Sequence, residues 1–163
     1  PFSLETIVAE CLTITNVKLK FIEVERVGLE GVQLRCIRSQ MSQVLTNLIS
    51  NAADALSESS SLSSAEGGNT AIRVSFHWSA DGGSELSVED SGPGVPPERA
   101  EKIWEPFFTT KSVNHGTGLG MPIVKRIIER HGFEIRLSRS ESLGGARFTI
   151  VIPPEAASPE SAA

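Results

Sequence analysis

Three clusters in this chain combine residue types and spacings that suit chemistry. In NLISNAADAL, Asn47, Asn51 and Asp54 recur at i, i+4 and i+7. At ~100° per residue this is one narrow stripe of a helix. Asn and Asp are poor interior helix formers, and an exposed helix face ordinarily draws on Glu, Lys and Gln. Three such residues on one line suggest a polar site. In DSGPGVPPE, Asp90 ends a strand, and Gly92 and Gly94 let the backbone approach a neighbour more closely than a β-carbon allows. In GTGLGMPIVKRIIERHG, the residues Gly116, Thr117, Gly118, Leu119 and Gly120 lead into a helix. The free N–H groups and positive dipole end of such a helix hold phosphate oxygens. The spacing is G-x-G-x-G, neither the dinucleotide fingerprint nor a Walker A loop. Taken singly, each cluster has a plain alternative: a solvated helix face, a surface turn, a flexible linker.

Periodicity supplies the elements that must hold these groups. Leu4, Ile7, Val8, Cys11 and Leu12 predict a helix over 3–12 with Ser3 as N-cap, and half-buried strands follow at 18–26 and 32–37. A long helix is expected from about Arg38 to Leu56. Its apolar stripe of Met41, Leu45, Leu48, Ile49, Ala52 and Leu56 lies opposite Asn47, Asn51 and Asp54. The serine-rich stretch 57–69 predicts a flexible connector. Ile72, Val74, Phe76 and Trp78 alternate with polar residues, and Asp81-Gly82-Gly83 turns that strand into a second one carrying Leu86 and Val88. Residues 91–118 show no period and predict a long loop. A helix at 119–131 tolerates Pro122 in its first turn, and two last strands meet at Gly144-Gly145. The fold class is therefore α+β, a two-layer sandwich of a mixed, mostly antiparallel sheet with helices on one face. Residues 1–153 form the expected domain, and 154–163 the expected disordered tail or linker.

Composition narrows the function. The chain has 163 residues and a net charge of −5, which argues against a nucleic-acid surface. There is no membrane-length apolar run, so a cytoplasmic location is expected. Cys11 and Cys36 have no metal or redox spacing and read as small packing residues.

The order of the motifs is the stronger signal. An Asn-bearing helix, a strand-end D-x-G-x-G, EPFFTTK at 105–111 and G-T-G-L-G opening a helix resemble the Bergerat ATP-binding fold. The chain is similar, over roughly 3–153, to the catalytic and ATP-binding domain of bacterial sensor histidine kinases. The resemblance implies ATP and Mg²⁺ as ligands. By it, Asn51 is the metal ligand, and Asn47 faces the same phosphates. Asp90 accepts from the adenine amino group, and Gly92 and Gly94 lie beside the base. Asp54 belongs to the nucleotide site, and Lys111 is a phosphate contact. Gly116 to Gly120, with Thr117 and Leu119, wrap the outer phosphates. Phe107 and Phe108 mark the aromatic motif of the lid.

One position that separates kinases from hydrolases, and two departures from the family, bear on chemistry. Hydrolases of the superfamily carry glutamate four residues before the metal asparagine, whereas this chain has Asn47, an amide that cannot act as a base. Asp54 gives the N-A-x-D-A form shared with the ATPases, where many kinases have Lys. Ala146 stands where the family often has Thr beside the adenine. None of His77, His115 or His131 has the context of a phosphoacceptor. The resemblance thus implies transfer to a histidine on dimerisation helices outside this sequence, then to a response regulator. The chain itself would be monomeric and unable to label itself. The protein of which it is a part would be a homodimer, with a membrane anchor left open. An anti-sigma-type serine kinase and a degenerate nucleotide-binding module are the alternatives.

Overall fold

The computed structural model describes residues 1–62, 69–108 and 119–161. In chain order the elements are β1 (Phe2–Ser3), α1 (Leu4–Ile14), β2 (Glu23–Val27), β3 (Val32–Leu34) and α2 (Arg38–Leu62). They continue with β4 (Ala71–Trp78), β5 (Ser84–Asp90), α3 (Gly120–Arg130), β6 (Glu134–Arg139), β7 (Ala146–Ile152) and β8 (Ala157–Pro159). Ser3 caps α1 by accepting from the Thr6 N–H at 3.3 Å.

Five strands form a sheet in the order β2-β4-β5-β7-β6, in which only β2 and β4 run parallel. Helices α2 and α3 pack on this sheet, and α2 lies between α1 and α3. The expected two-layer, mixed-sheet architecture is what the chain adopts. The core is the interface between layers. Met41, Leu45, Leu48, Ile49, Ala52 and Leu56 of α2 are all buried, as are Ile72 and Val74 of β4 and Leu86 and Val88 of β5. The other sheet face carries a row of alternating charge, Glu25, Arg73, Glu89 and Arg147, on neighbouring strands. Arg73 Nε donates to Glu25 at 2.6 Å, and Glu89, itself buried, accepts from the Ser140 hydroxyl at 2.9 Å. A sheet face that carries charged and hydrogen-bonded side chains needs no helix to cover it.

Four expectations change. Leu19 and Phe21 lie in turns before β2, and Phe21 is exposed, because its backbone joins no ladder: the Thr70 hydroxyl caps its carbonyl instead. Trp78 is half out of the core at the end of β4, where it meets Phe76 edge-on. The helix α2 runs through Leu62, into the serine-rich stretch. Extending an existing helix avoids nucleation, and the Ser59 hydroxyl bonds back to the Leu56 carbonyl at 3.0 Å. Residues 63–68 of that stretch lie outside the described residues.

The fourth change is at the end of the chain. Residues 154–159, read from sequence as the start of a tail, form a 3₁₀ turn and then β8, in a small antiparallel sheet of order β1-β3-β8. The exposed backbone of β3 is the reason. Arg35 N–H donates to the Ala156 carbonyl at 2.8 Å, and Ala156 and Ala157 are buried. Small side chains leave no hydrophobic signature in the sequence, yet the ladder still forms.

A chain ended at Pro153 should therefore lose stability, by about 2 kcal/mol through the lost ladder and the uncovering of Val32 and Leu34. That corresponds to a melting temperature lower by roughly 4–8 °C. An unchanged thermal midpoint for the shortened chain would remove β8 from the cooperative fold.

Candidate functional site

Asp90 ends the central strand β5 and is 4% exposed. Its Oδ1 accepts from the Gly92 N–H at 2.9 Å and the Ala146 N–H at 3.3 Å. Among the described residues Oδ2 has no hydrogen-bond partner, so it is the oxygen that a ligand donor can meet. Burial pushes the carboxyl up from its ordinary value, and the two backbone N–H groups pull it part of the way back.

Glycine makes this arrangement possible. A β-carbon on Gly145 would collide with Asp90 Oδ1 and with the Asp90 carbonyl, to which the Gly145 N–H donates at 3.0 Å. A β-carbon on Gly92 would stand 2.9 Å from Asp90 Oδ1 and 3.5 Å from the Ala55 side chain on α2. Gly94, with φ +78, packs on Gly145. The turn from β6 to β7 is held from the other face of the sheet. Ser140 bonds Glu89, accepts from the Leu143 N–H at 3.0 Å and donates its own N–H to the Gly145 carbonyl at 2.8 Å.

Helix α2 forms the second wall. Asn47, Asn51 and Asp54 are all half-buried, and Ser50 shares their face at i+3 from Asn47. Asn47 Nδ2 lies 3.5 Å from the Gly120 carbonyl, which ties the stripe to the start of α3. Lys18, from the turn after α1, donates to Ser50 Oγ at 2.8 Å and to Asp54 at 2.9 and 3.2 Å. From Asn47, beside Gly120, to Ala55, beside Gly92, α2 rises ~12 Å.

Helix α3 starts at Gly120 with no side-chain cap, and Pro122 brings no N–H. Leu119 is its N-cap residue. Lys111, Gly116, Thr117 and Gly118, together with His115, lie outside the described residues. Phe107 is exposed and holds φ +66, a left-handed backbone disfavoured for a non-glycine residue, and Phe108 is half-buried.

The structure thus gathers Asn47, Asn51 and Asp54 on one face, Asn47 with Gly120, and Asp90 with Gly92 and Gly94. Sequence reasoning misses Gly145, Ala55 and Lys18. For Gly145 a signal exists, since a Gly-Gly turn beside a strand end permits close approach. Nothing local marks Lys18 or Ala55.

Known proteins resemble the chain in sequence and in fold. Residues 36–156 match the family described as histidine kinase-, DNA gyrase B-, and HSP90-like ATPase. The sensor histidine kinase ZraS of Escherichia coli O157:H7 is 39% identical over 114 residues, covering 70% of this chain and 22% of that protein. Sporulation kinase C of Bacillus subtilis (strain 168) is 32% identical over 143 residues, covering 85% of this chain and 30% of that protein. The chain therefore spans about a fifth to a third of the length of these curated relatives. Among solved structures, the nucleotide-free catalytic domain of histidine kinase ThkA has a TM-score of 0.74 at 32% identity, covering 94% of this chain and 95% of that one.

The raised carboxyl of Asp90 has a pH signature. Its folded value lies above the ordinary 3.8, so the folded state holds the proton more tightly than the unfolded chain. The associated stability is fully present below the unfolded value and is lost as pH rises through the folded value. The stability of wild type relative to Asp90→Asn should therefore improve as pH falls from about 7 toward 4, as measured by urea denaturation. A difference that stays flat, or moves against wild type, contradicts the burial argument.

Proposed function

Because the chain belongs to the family of histidine kinase-, DNA gyrase B-, and HSP90-like ATPases, we propose that it binds Mg·ATP and presents the γ-phosphoryl group to a histidine on another domain. The observation that carries this reading is the Asp90 carboxylate, with one oxygen fixed by backbone N–H groups and the other open. An amino group on a flat base is the donor such an oxygen suits, and Gly92, Gly94 and Gly145 leave room for the base. The ~12 Å between the Gly92 end and the Gly120 end of α2 matches the reach of a nucleoside triphosphate.

The residues fit Mg²⁺. Asn51 offers a hard amide oxygen on the half-buried stripe, and one protein ligand suffices where phosphates and water supply the rest. Bound there, the ion would neutralise charge developing on the transferred phosphoryl. Asn47 would orient the phosphates. The first turn of α3 and the glycine-rich stretch before it would cradle them, with Lys111 as a further contact. Asp54 lies beside Asn51 in the nucleotide site.

Transfer is favoured over hydrolysis because Asn47 cannot take a proton from water. A histidine acceptor on dimerisation helices is supported by the likeness to a sensor histidine kinase and by the contexts of His77, His115 and His131, none of which suits a phosphoacceptor. A response regulator downstream completes the proposed route. The likeness to sensor kinases favours this reading over a serine kinase or a module without transfer. Among the described residues no helix is long and apolar enough to cross a membrane.

Adenine should be preferred over guanine. Guanine presents a carbonyl oxygen to Asp90, and setting acceptor against acceptor should cost ~1.5–3 kcal/mol, at least about tenfold in affinity. Equal affinities for ATP and GTP by calorimetry would overturn the role of Asp90.

With γ-labelled ATP the chain alone should acquire no label. On addition of the dimerisation helices of its full-length protein, acid-labile phosphohistidine should form on that partner. Rapid labelling of the chain itself, or hydrolysis at typical enzyme rates near ~1–10 per second, would sink the transfer reading.

A further inference from the structure

We propose that Lys18 and Asp54 form an electroneutral pair that sets the charge of the polar stripe, which makes Lys18 a positioning residue for an anionic nucleotide. The inference rests on the nucleotide-binding reading above and adds to it a residue from outside all of its motifs.

Three contacts converge on one ammonium. Lys18 Nζ is 2.8 Å from Ser50 Oγ, 2.9 Å from Asp54 Oδ1 and 3.2 Å from Asp54 Oδ2. Ser50 precedes Asn51, and Asp54 follows it by less than one turn, so the cation sits on the stripe beside the amide assigned to the metal. A surface lysine gains little from a single exposed partner and loses side-chain freedom in holding one geometry. Here its three N–H donors meet two residues on the same helix face, one of them a carboxylate whose side chain is only 20% exposed. The lysine arrives from 36 residues away in sequence, through the turn that joins α1 to β2.

Charge explains what the pair does. A nucleoside triphosphate carries several negative charges, and Asp54 stands on the wall that would receive it. Without the ammonium, that half-buried carboxylate would repel the phosphates. The pair keeps Asp54 available as an acceptor while removing its net charge. For folding alone, a pair as exposed as this contributes little, so its effect belongs to binding rather than stability.

The test is a set of Mg·ATP titrations by calorimetry at low salt on wild type, Lys18→Ala, Lys18→Arg and Lys18→Ala/Asp54→Asn. Lys18→Ala should bind about 3- to 10-fold more weakly, with its thermal midpoint close to that of wild type. Lys18→Arg should retain affinity. Adding Asp54→Asn to Lys18→Ala should recover most of the loss, because net charge is restored while an acceptor oxygen remains. The penalty should shrink in ~1 M salt, where the screening length falls to about 3 Å. Unchanged affinity in Lys18→Ala overturns the inference and leaves the nucleotide reading standing. A double variant as weak as Lys18→Ala overturns the pair as the cause, since Lys18 would then act on the ligand directly. A wild type that binds no nucleotide overturns both.

Discussion

A carboxylate buried at the end of a central strand is the constraint on which the rest of this site depends. Removing Asp90 from water would cost several kcal/mol if it were left alone. Two backbone N–H groups offset that cost, and both must arrive at one oxygen. That condition fixes the start of β7, requires glycine at 145 and 92, and holds the β6–β7 turn tightly against β5. The Ser140–Glu89 contact on the opposite face anchors the turn that brings Gly145 into place. The alternating charge on the open sheet face thus supports the site on the closed one.

Helix α2 gives the site its length in the same way that it gives the core its width. One side of the helix buries Met41, Leu45, Leu48, Ile49 and Leu56, and the other carries Asn47, Ser50, Asn51 and Asp54. The two sides cannot move independently. Any shift of the apolar stripe in the core would slide Asn47 away from Gly120 and Ala55 away from Gly92. Because packed interiors resist such shifts, the distance between the two ends of the site is set by the core.

Local chemistry was legible in the sequence wherever periodicity or glycine carried it. The opposed stripes of α2 follow from residues 38–56 alone, and Asp90 with Gly92 and Gly94 follows from a strand that ends in a turn. What the sequence hid depends on contacts between distant segments. Lys18 reaches Asp54 only because the turn after α1 folds back over α2. Ala146 contributes a backbone N–H, which no side chain advertises. The strand β8 is written in Ala, Ser and Pro, residues that signal a tail, and forms because β3 offers it a free edge. Serines extend α2 beyond its apolar stripe because propagation needs less from sequence than nucleation does.

On the proposed reading, these commitments also bear on why such a domain needs a second one. A water molecule attacking a phosphoryl group requires a base with an uncommitted lone pair. The two carboxylates on the walls of this site are both engaged. Asp90 is buried with one oxygen held by two N–H groups and the other facing the position of the base, far from the outer phosphates. Asp54 has both of its oxygens engaged by the Lys18 ammonium. Asn47, nearest Gly120, has no proton affinity to offer. A site built in this way can hold a triphosphate and neutralise it without spending it on water. A neutral imidazole carries its own nucleophilic lone pair and needs no base from this wall, so the chemistry waits for the acceptor to be brought to the site.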